Sequence, residues 1–275
     1  MPTIIDGSAS ATFQTPLPLG EGGTGSVVGA ISGPNGSAFA LRNALFNADF
    51  RINQRGYVSA ATLASGAYGH DRFKAGASGG DYSFTQLNSS TQVTIASGKS
   101  LIQVVEDKNV VGGSYVLSWT GTALARVGVN SATPSGTFVV SPILITGQTA
   151  GTTMSVEFNA GTLNTAQLEL GTVATPFERR PIGLELALCQ RYCQPVTQEK
   201  RFNASTASST NVDLVTFPSM RAMPTSTLLN AGTLNNMLSA ALSPVTNAQA
   251  QSNYVNSATG DAFITERVYL LTAEL

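Results

Sequence analysis

The chain is predicted to be all-β: a jelly-roll-like β-sandwich and a second, smaller C-terminal β-sandwich, preceded by an extended Gly/Pro-rich N-terminal arm. Three observations predict this. Short runs that alternate apolar and polar residues recur along the chain, and period two marks a half-buried strand. Turn-forming clusters separate those runs at regular spacing, as in sandwiches. Charged residues are only 11% of the 275, against about 25% in an ordinary soluble domain, while 42% are apolar and supply a core.

The arm covers residues 1–44. Pro16, Pro18, Gly22, Gly23 and Gly25 crowd one stretch, and Gly29, Gly33, Pro34 and Gly36 follow. Proline fixes φ and removes a donor, and glycine admits positive φ. Such a segment builds no core of its own and orders only against something else. A free tail and an attachment arm both fit.

Residues 45–182 form the first sandwich. Tyr115, Leu117 and Trp119 alternate in one run, and Thr137–Ser141, Met154–Phe158 and Ala166–Gly171 are similar. Turns are expected at 77–80, 132–136 and 149–151. Trp119 sits mid-strand between apolar neighbours and is read as core.

Residues 183–275 begin with a short helix, because Leu184, Leu188 and Tyr192 recur every four residues and share a face. Strands then return. Ile264, Val268 and Leu270 alternate with polar neighbours in a last strand built into the fold.

Composition also excludes function classes. Fifteen basic and sixteen acidic residues nearly balance, which argues against a nucleic-acid binder or a polybasic membrane binder. No apolar run approaches the roughly 18 residues of a membrane span. Met1–Asp6 lacks the basic start of a secretory signal, so synthesis in a cytosol without a signal peptide is expected. Cys189, Cys193 and the single histidine, His70, do not make a zinc set. The two thiols, four apart on a helix, read as small buried groups rather than a strained disulfide.

Three stretches resemble phage tail-fibre and receptor-binding proteins. Pro16–Gly25 is similar to the P-L-P-x-x-x-G-G-T-G segments of fibre shafts. Leu45–Gly56 and Tyr68–Phe73 resemble the N-x-x-F-x-I-x-Q-R-G and Y-x-A-D-R-W runs of carbohydrate-binding-module-like jelly rolls in such fibres. Ala166–Pro181, continuing into Glu185–Tyr192, looks like the run that closes these sandwiches and leads into a distal domain. Phe73 stands where the family often has Trp, and His70 replaces a small residue. The resemblance implies a virion protein: a homotrimeric tail fibre, attached to tail, baseplate or neck proteins through residues 1–44, whose distal domain contacts the host and which binds host-surface polysaccharide. An architectural neck, collar or capsid fibre is the alternative, and a glycan depolymerase a second.

Sugar recognition needs aromatic faces and polar groups for hydroxyls. Tyr57, Tyr68, Tyr82 and Tyr254 lie in Gly/Ser-rich, loop-like surroundings and are the candidates, each with a half-buried structural role as the competing reading. Asp49, Asp71 and Glu178 are candidate ligands of a structural calcium. The competing reading pairs Asp71 and Glu178 with Arg72, Arg179 or Arg180; otherwise no cofactor is expected. Arg55, Asp71, Arg72, Arg179 and Arg180 are expected to make structural bonds, since guanidinium offers five donors in a fixed fork. Catalysis is not expected. The acidic residues are scattered, the adjacent pair Glu106-Asp107 reads as a solvated turn, and no nucleophile elbow is present.

Overall fold

A computed structural model describes residues 41–275. The arm residues Pro16, Pro18, Gly22, Gly23 and Gly25 lie outside the described residues. The first module contains strands β1 (Lys74–Ala75), β2 (Tyr82–Gln86), β3 (Thr91–Ile95), β4 (Leu101–Val105), β5 (Gly113–Gly121), β6 (Ala125–Gly128), β7 (Ser135–Val139), β8 (Ile143–Gln148), β9 (Met154–Phe158) and β10 (Gly161–Leu170). They form two five-stranded sheets, ordered β1-β4-β9-β6-β7 and β2-β3-β10-β5-β8.

Strands β3 to β10 pair first with last, all antiparallel: β3 with β10, β4 with β9, β5 with β8, and β6 with β7. That ribbon of pairs folds over so that β10 also meets β5 and β9 meets β6. This winding is a jelly roll. Between the sheets lie Tyr115, Leu117 and Trp119 of β5 with Leu101, Val156 and Phe158 of the other sheet, all buried. Trp119 is core, as its sequence context suggests. Its ring meets Phe158 edge-on at 5.5 Å, and its indole N–H donates to the Ala123 carbonyl at 2.7 Å.

The closing run of the sandwich doubles back over the outer face of the second sheet. Gln167 and Glu169 point out of β10, yet each is only 1% exposed. Glu169 accepts from the Thr175 amide (2.8 Å), and Gln167 accepts from the Glu178 amide (2.6 Å). Those polar groups therefore fasten residues 175–178 onto the sheet. The sandwich also begins earlier than residue 45. Asn43 is 2% exposed, its side chain bonded to Ala166 and Leu168 of β10, so the last residues assigned to the arm belong to the sandwich.

Helix α1 (Ile182–Gln190) leads into the second module: β11 (Cys193–Ala204), β12 (Thr210–Thr216), β13 (Thr225–Asn230), β14 (Thr233–Asn235), β15 (Met237–Pro244), β16 (Gln249–Asn256) and β17 (Gly260–Thr272). One sheet runs β11-β17-β13, with β14 also on β17; the other runs β12-β16-β15. Met220, Leu242, Ala250, Tyr269 and Leu271 pack in one cluster, and Ala240, Tyr254 and Ile264 in another. At about 3.3 Å per residue, the twelve residues of β11 extend roughly 35 Å from the junction with the sandwich. No helix among the described residues is long and apolar enough to cross a membrane.

The helix departs from the expected stripe. Leu184 is 39% exposed, and the residues of α1 that are buried are Glu185 and Cys189. The inward face is polar because Glu185 has partners waiting: the Asn47 amide and the Arg180 guanidinium.

Candidate functional site

Of the four tyrosines only Tyr57 and Tyr82 are brought together, and Tyr82 and Tyr254 are core. Tyr82 and Tyr254 are 1% and 2% exposed, so neither offers a face to a sugar. Tyr254 lies within β16, not in a loop, and its hydroxyl donates to Asp213 at 3.0 Å. Tyr57 is half-buried. It stacks on Tyr82 at 4.4 Å and donates its hydroxyl to the Ala61 carbonyl at 2.6 Å. Tyr68 lies under the Arg55 guanidinium, and its hydroxyl donates to the Leu275 oxygen at 2.7 Å. Burial, with the nearby Glu274 carboxylate adding to it, pushes Tyr68 up to about 12.

The three carboxylates considered for calcium are likewise apart in their bonding. Asp49 pairs with Arg51 at 2.5 Å, and Glu178 accepts from the Asn43 amide and faces Arg180 at 3.6 Å. Asp71 does not pair with Arg72; it accepts from the Gln54 amide (3.1 Å) and side chain. Among the described residues no group of three His, Cys, Asp or Glu converges in a way that would hold a metal ion.

The charged side chains instead concentrate at the junction of the two modules. Arg72, 2% exposed, places its guanidinium 3.6 Å from the Tyr192 ring centroid and donates to the Val104 carbonyl at 2.6 Å. It also pairs with Glu274, whose other oxygen takes Arg55 at 2.6 Å. Tyr192 donates to Glu106 at 2.8 Å, and Arg191 grips the same carboxylate at 2.9 and 3.1 Å. Glu106 is therefore not the solvated turn residue its neighbours suggest; it is 3% exposed. Burial pushes its carboxyl up, but the bonds from Arg191 and Tyr192 outweigh that and hold it below its ordinary value. Buried ion pairs specify geometry more than they add stability. These join the sandwich to the link between α1 and β11 and to the residues after β17.

The remaining reactive types are also enclosed. His70 is 2% exposed, with Nδ1 2.7 Å from the Tyr82 hydroxyl, and burial lowers it to about 4. Cys189 and Cys193 are free and buried, as the sequence suggests; burial raises Cys193 to about 12 and Cys189 well above its ordinary value. Neither has the depressed pKa of a reactive thiol.

What the sandwich leaves open is a cleft of about 280 Å³ lined by Ser78, Lys99, Ser100, Arg126, Phe138, Glu157 and Asn159, among others. Pairing sets its floor. Ile102 of β4, Glu157 of β9 and Arg126 of β6 are directly opposite one another, so their side chains share the outer face of the first sheet. Glu157, 4% exposed, accepts from Ser100 and from Arg126 Nε, both at 2.6 Å. The Arg126 guanidinium covers the Phe138 ring at 4.6 Å. Lys99 reaches in from the turn before β4, donating to the Ser78 carbonyl at 2.9 Å and facing Asp81 at 3.5 Å. Gly76 lets the neighbouring loop close over this floor, since a Cβ there would lie 2.0 Å from Ser100 Oγ and 2.9 Å from Glu157. None of these residues was singled out from the sequence. The available signal was Glu157, a charge inside the otherwise uncharged Met154–Phe158 run.

Two other clefts are present. One of about 430 Å³ is lined by Arg42, Asn43 and Asn109 together with Leu41, Phe46 and Leu188, among others. The other, about 380 Å³, lies on the second module beside Arg201 and Phe263, where Arg201 is paired with Asp261 at 2.7 Å.

Fold and cleft together define a two-module jelly-roll protein with a donor-lined surface site. No family model matches the chain, and no curated protein does. Among solved structures it is similar to recombinant discoidin II of Dictyostelium discoideum at 11% identity and a TM-score of 0.22, over 86% of this chain and 94% of that one. Wild-type discoidin II from the same organism gives 10%, 0.23, 86% and 92%. Similarity that low says nothing about ligand or function.

Proposed function

We propose that the chain is a bacteriophage virion protein, a homotrimeric tail-fibre subunit that attaches to tail, baseplate or neck proteins through its N-terminal arm and binds host-surface polysaccharide without cleaving it. The observation that carries the binding part is the cleft between Lys99 and Arg126: an open polar site on a module whose histidine and Glu106 are both consumed internally. The virion part rests on the closing run Ala166–Pro181 and Glu185–Tyr192, whose resemblance to tail fibres is the most specific in the chain.

The physics of attachment suits such a site. A small polar cleft that holds a sugar with a Kd of about 1 mM contributes only about 4 kcal/mol. Three copies per fibre and several fibres per particle raise that to firm adhesion through effective concentration alone. A chain with few charges also limits nonspecific attraction to a charged cell surface.

The test is competition and mass. Purified full chain is measured by light scattering and added to host cells before phage. A trimer mass with reduced adsorption supports the reading; a single-chain mass with unchanged adsorption overturns it. The ion-paired junction favours the second reading, a spacer with no receptor role, because it fixes one module against the other. Particles lacking residues 193–275 that assemble and adsorb normally would favour that spacer.

A further inference from the structure

We infer that the cleft between Lys99 and Arg126 selects an acidic saccharide, one bearing a carboxylate such as a uronate, over a neutral one. This rests on the polysaccharide-binding reading and names the class of sugar.

The argument counts donors and acceptors that remain for a ligand. A neutral sugar presents hydroxyls, each both donor and acceptor, so its site needs acceptors as well as donors. Here each of the carboxylate oxygens already faces a protein donor, which leaves it only a second lone pair. Both oxygens of Glu157 receive protein donors, Ser100 on one and Arg126 Nε on the other. Asp81 accepts from the Leu63 amide at 2.7 Å with one oxygen and faces Lys99 with the other. Asn159 turns its carbonyl oxygen to the Leu124 amide at 2.8 Å, and that bond assigns the amide so that Nδ2 is the end left over. The Ser78 carbonyl is held by Lys99.

The donors remain. Arg126 uses Nε on Glu157 and makes one long bond from Nη1 to the Gly136 carbonyl (3.4 Å), which leaves Nη2 without a protein acceptor. Lys99 has three N–H bonds, with Ser78 and a distant Asp81 as its protein partners. Asn159 Nδ2 has no protein acceptor among the described residues. Lys99 and Arg126 each have side chains 30% exposed, so both reach solvent at the cleft. The aromatic face of Phe138 is covered by the guanidinium, so an incoming ring meets Arg126 rather than a bare stacking platform. A guanidinium whose Nε is bound still offers its terminal fork, which matches a carboxylate.

The test is calorimetric titration of the full chain with uronate oligosaccharides of three kinds (galacturonate, glucuronate-containing and mannuronate) against neutral gluco-oligosaccharides of equal length. At least one acidic series is expected to bind about tenfold or more tighter than the neutral series, and to weaken as salt rises. Lys99→Met and Arg126→Met should each remove that preference, with thermal melting confirming that the variants fold. Lys99 lies at the cleft rim and keeps the test alive if Arg126→Met unfolds. Neutral sugars binding as tightly as acidic ones, with both variants abolishing binding, would overturn the acidic class and leave the site standing. Acidic binding unchanged in both variants would overturn the site. No binding of any uronate overturns the inference, whereas failure of whole host polysaccharide to bind removes the broader reading too.

Discussion

The guanidinium of Arg72 lies over the ring of Tyr192, 3.6 Å from its centroid, and so ties the loop before β1 to the end of α1. Arg72 takes up a positive φ of 73° to do this, a conformation costly for a side chain of its size unless its surroundings hold it. Glu274 and the Val104 carbonyl complete that hold.

Arg72→Met should therefore destabilise the protein by about 3 kcal/mol, the scale for removing one partner of a buried pair. Arg55 still pairs with Glu274 and keeps the loss from being larger. Tyr192→Leu, which also removes the hydroxyl on Glu106, is expected to cost a comparable amount. Urea unfolding measures both, and losses under about 0.5 kcal/mol would show that the junction is not held by this contact.

His70 predicts a pH dependence. Burial lowers its pKa to about 4 from an ordinary value of 6.5, so the folded chain keeps it neutral while the unfolded chain protonates it. Its contribution is intact above about pH 6.5 and falls as pH drops towards 4, by roughly 3 kcal/mol in all. Asp71 opposes this in part, since burial raises its carboxyl. Melting followed from pH 7 to 4 should show a falling Tm, and His70→Gln should flatten that slope. An equal slope in the variant contradicts the assignment.

Gly121 and Gly98 make a matched pair. Both have positive φ, 130° and 72°, but a Cβ on Gly121 would lie 2.1 Å from the Thr162 carbonyl oxygen, whereas Gly98 has nothing within 4 Å. Gly98→Ala should cost about 1 kcal/mol from backbone conformation alone. Gly121→Ala should cost clearly more, because strands β5 and β10 must separate there. Equal costs by urea unfolding would contradict the close approach.

How far the sequence carries the reading depends on what each residue is asked to do. The alternation in Met154–Phe158 marks the whole of β9, because apolar residues at 154, 156 and 158 fill the space between the sheets. The alternation of Tyr115, Leu117 and Trp119 marks a strand for the same reason, and Trp119 is core as its context predicts. Periodicity fails at α1, where the buried positions carry Glu185 and Cys189: no hydrophobic pattern reveals that Asn47, 138 residues away in sequence, and the nearby Arg180 await a carboxylate. It failed for Tyr82 and Tyr254 because Gly and Ser neighbours mimic a loop, while pairing with β3 and β12 encloses the rings. The cleft was invisible because Lys99, Arg126 and Glu157 meet only when β4, β6 and β9 align.

The two thiols supply a direct check on the interior. With Cys189 and Cys193 at 0% exposure, neither should react with an aromatic disulfide reagent in the folded chain, and both should react once it is unfolded in guanidinium. Rapid labelling of either in native buffer would contradict the packing of α1 against β11.

The most direct test of the central claim is binding and turnover measured in one sample. Full chain is titrated with purified surface polysaccharide from the proposed bacterial host, and reducing ends are followed alongside the heat of binding. The account predicts saturable binding that Lys99→Met and Arg126→Met remove, with the polymer length unchanged. Shortening of the polymer, or binding that both variants leave intact, would contradict it.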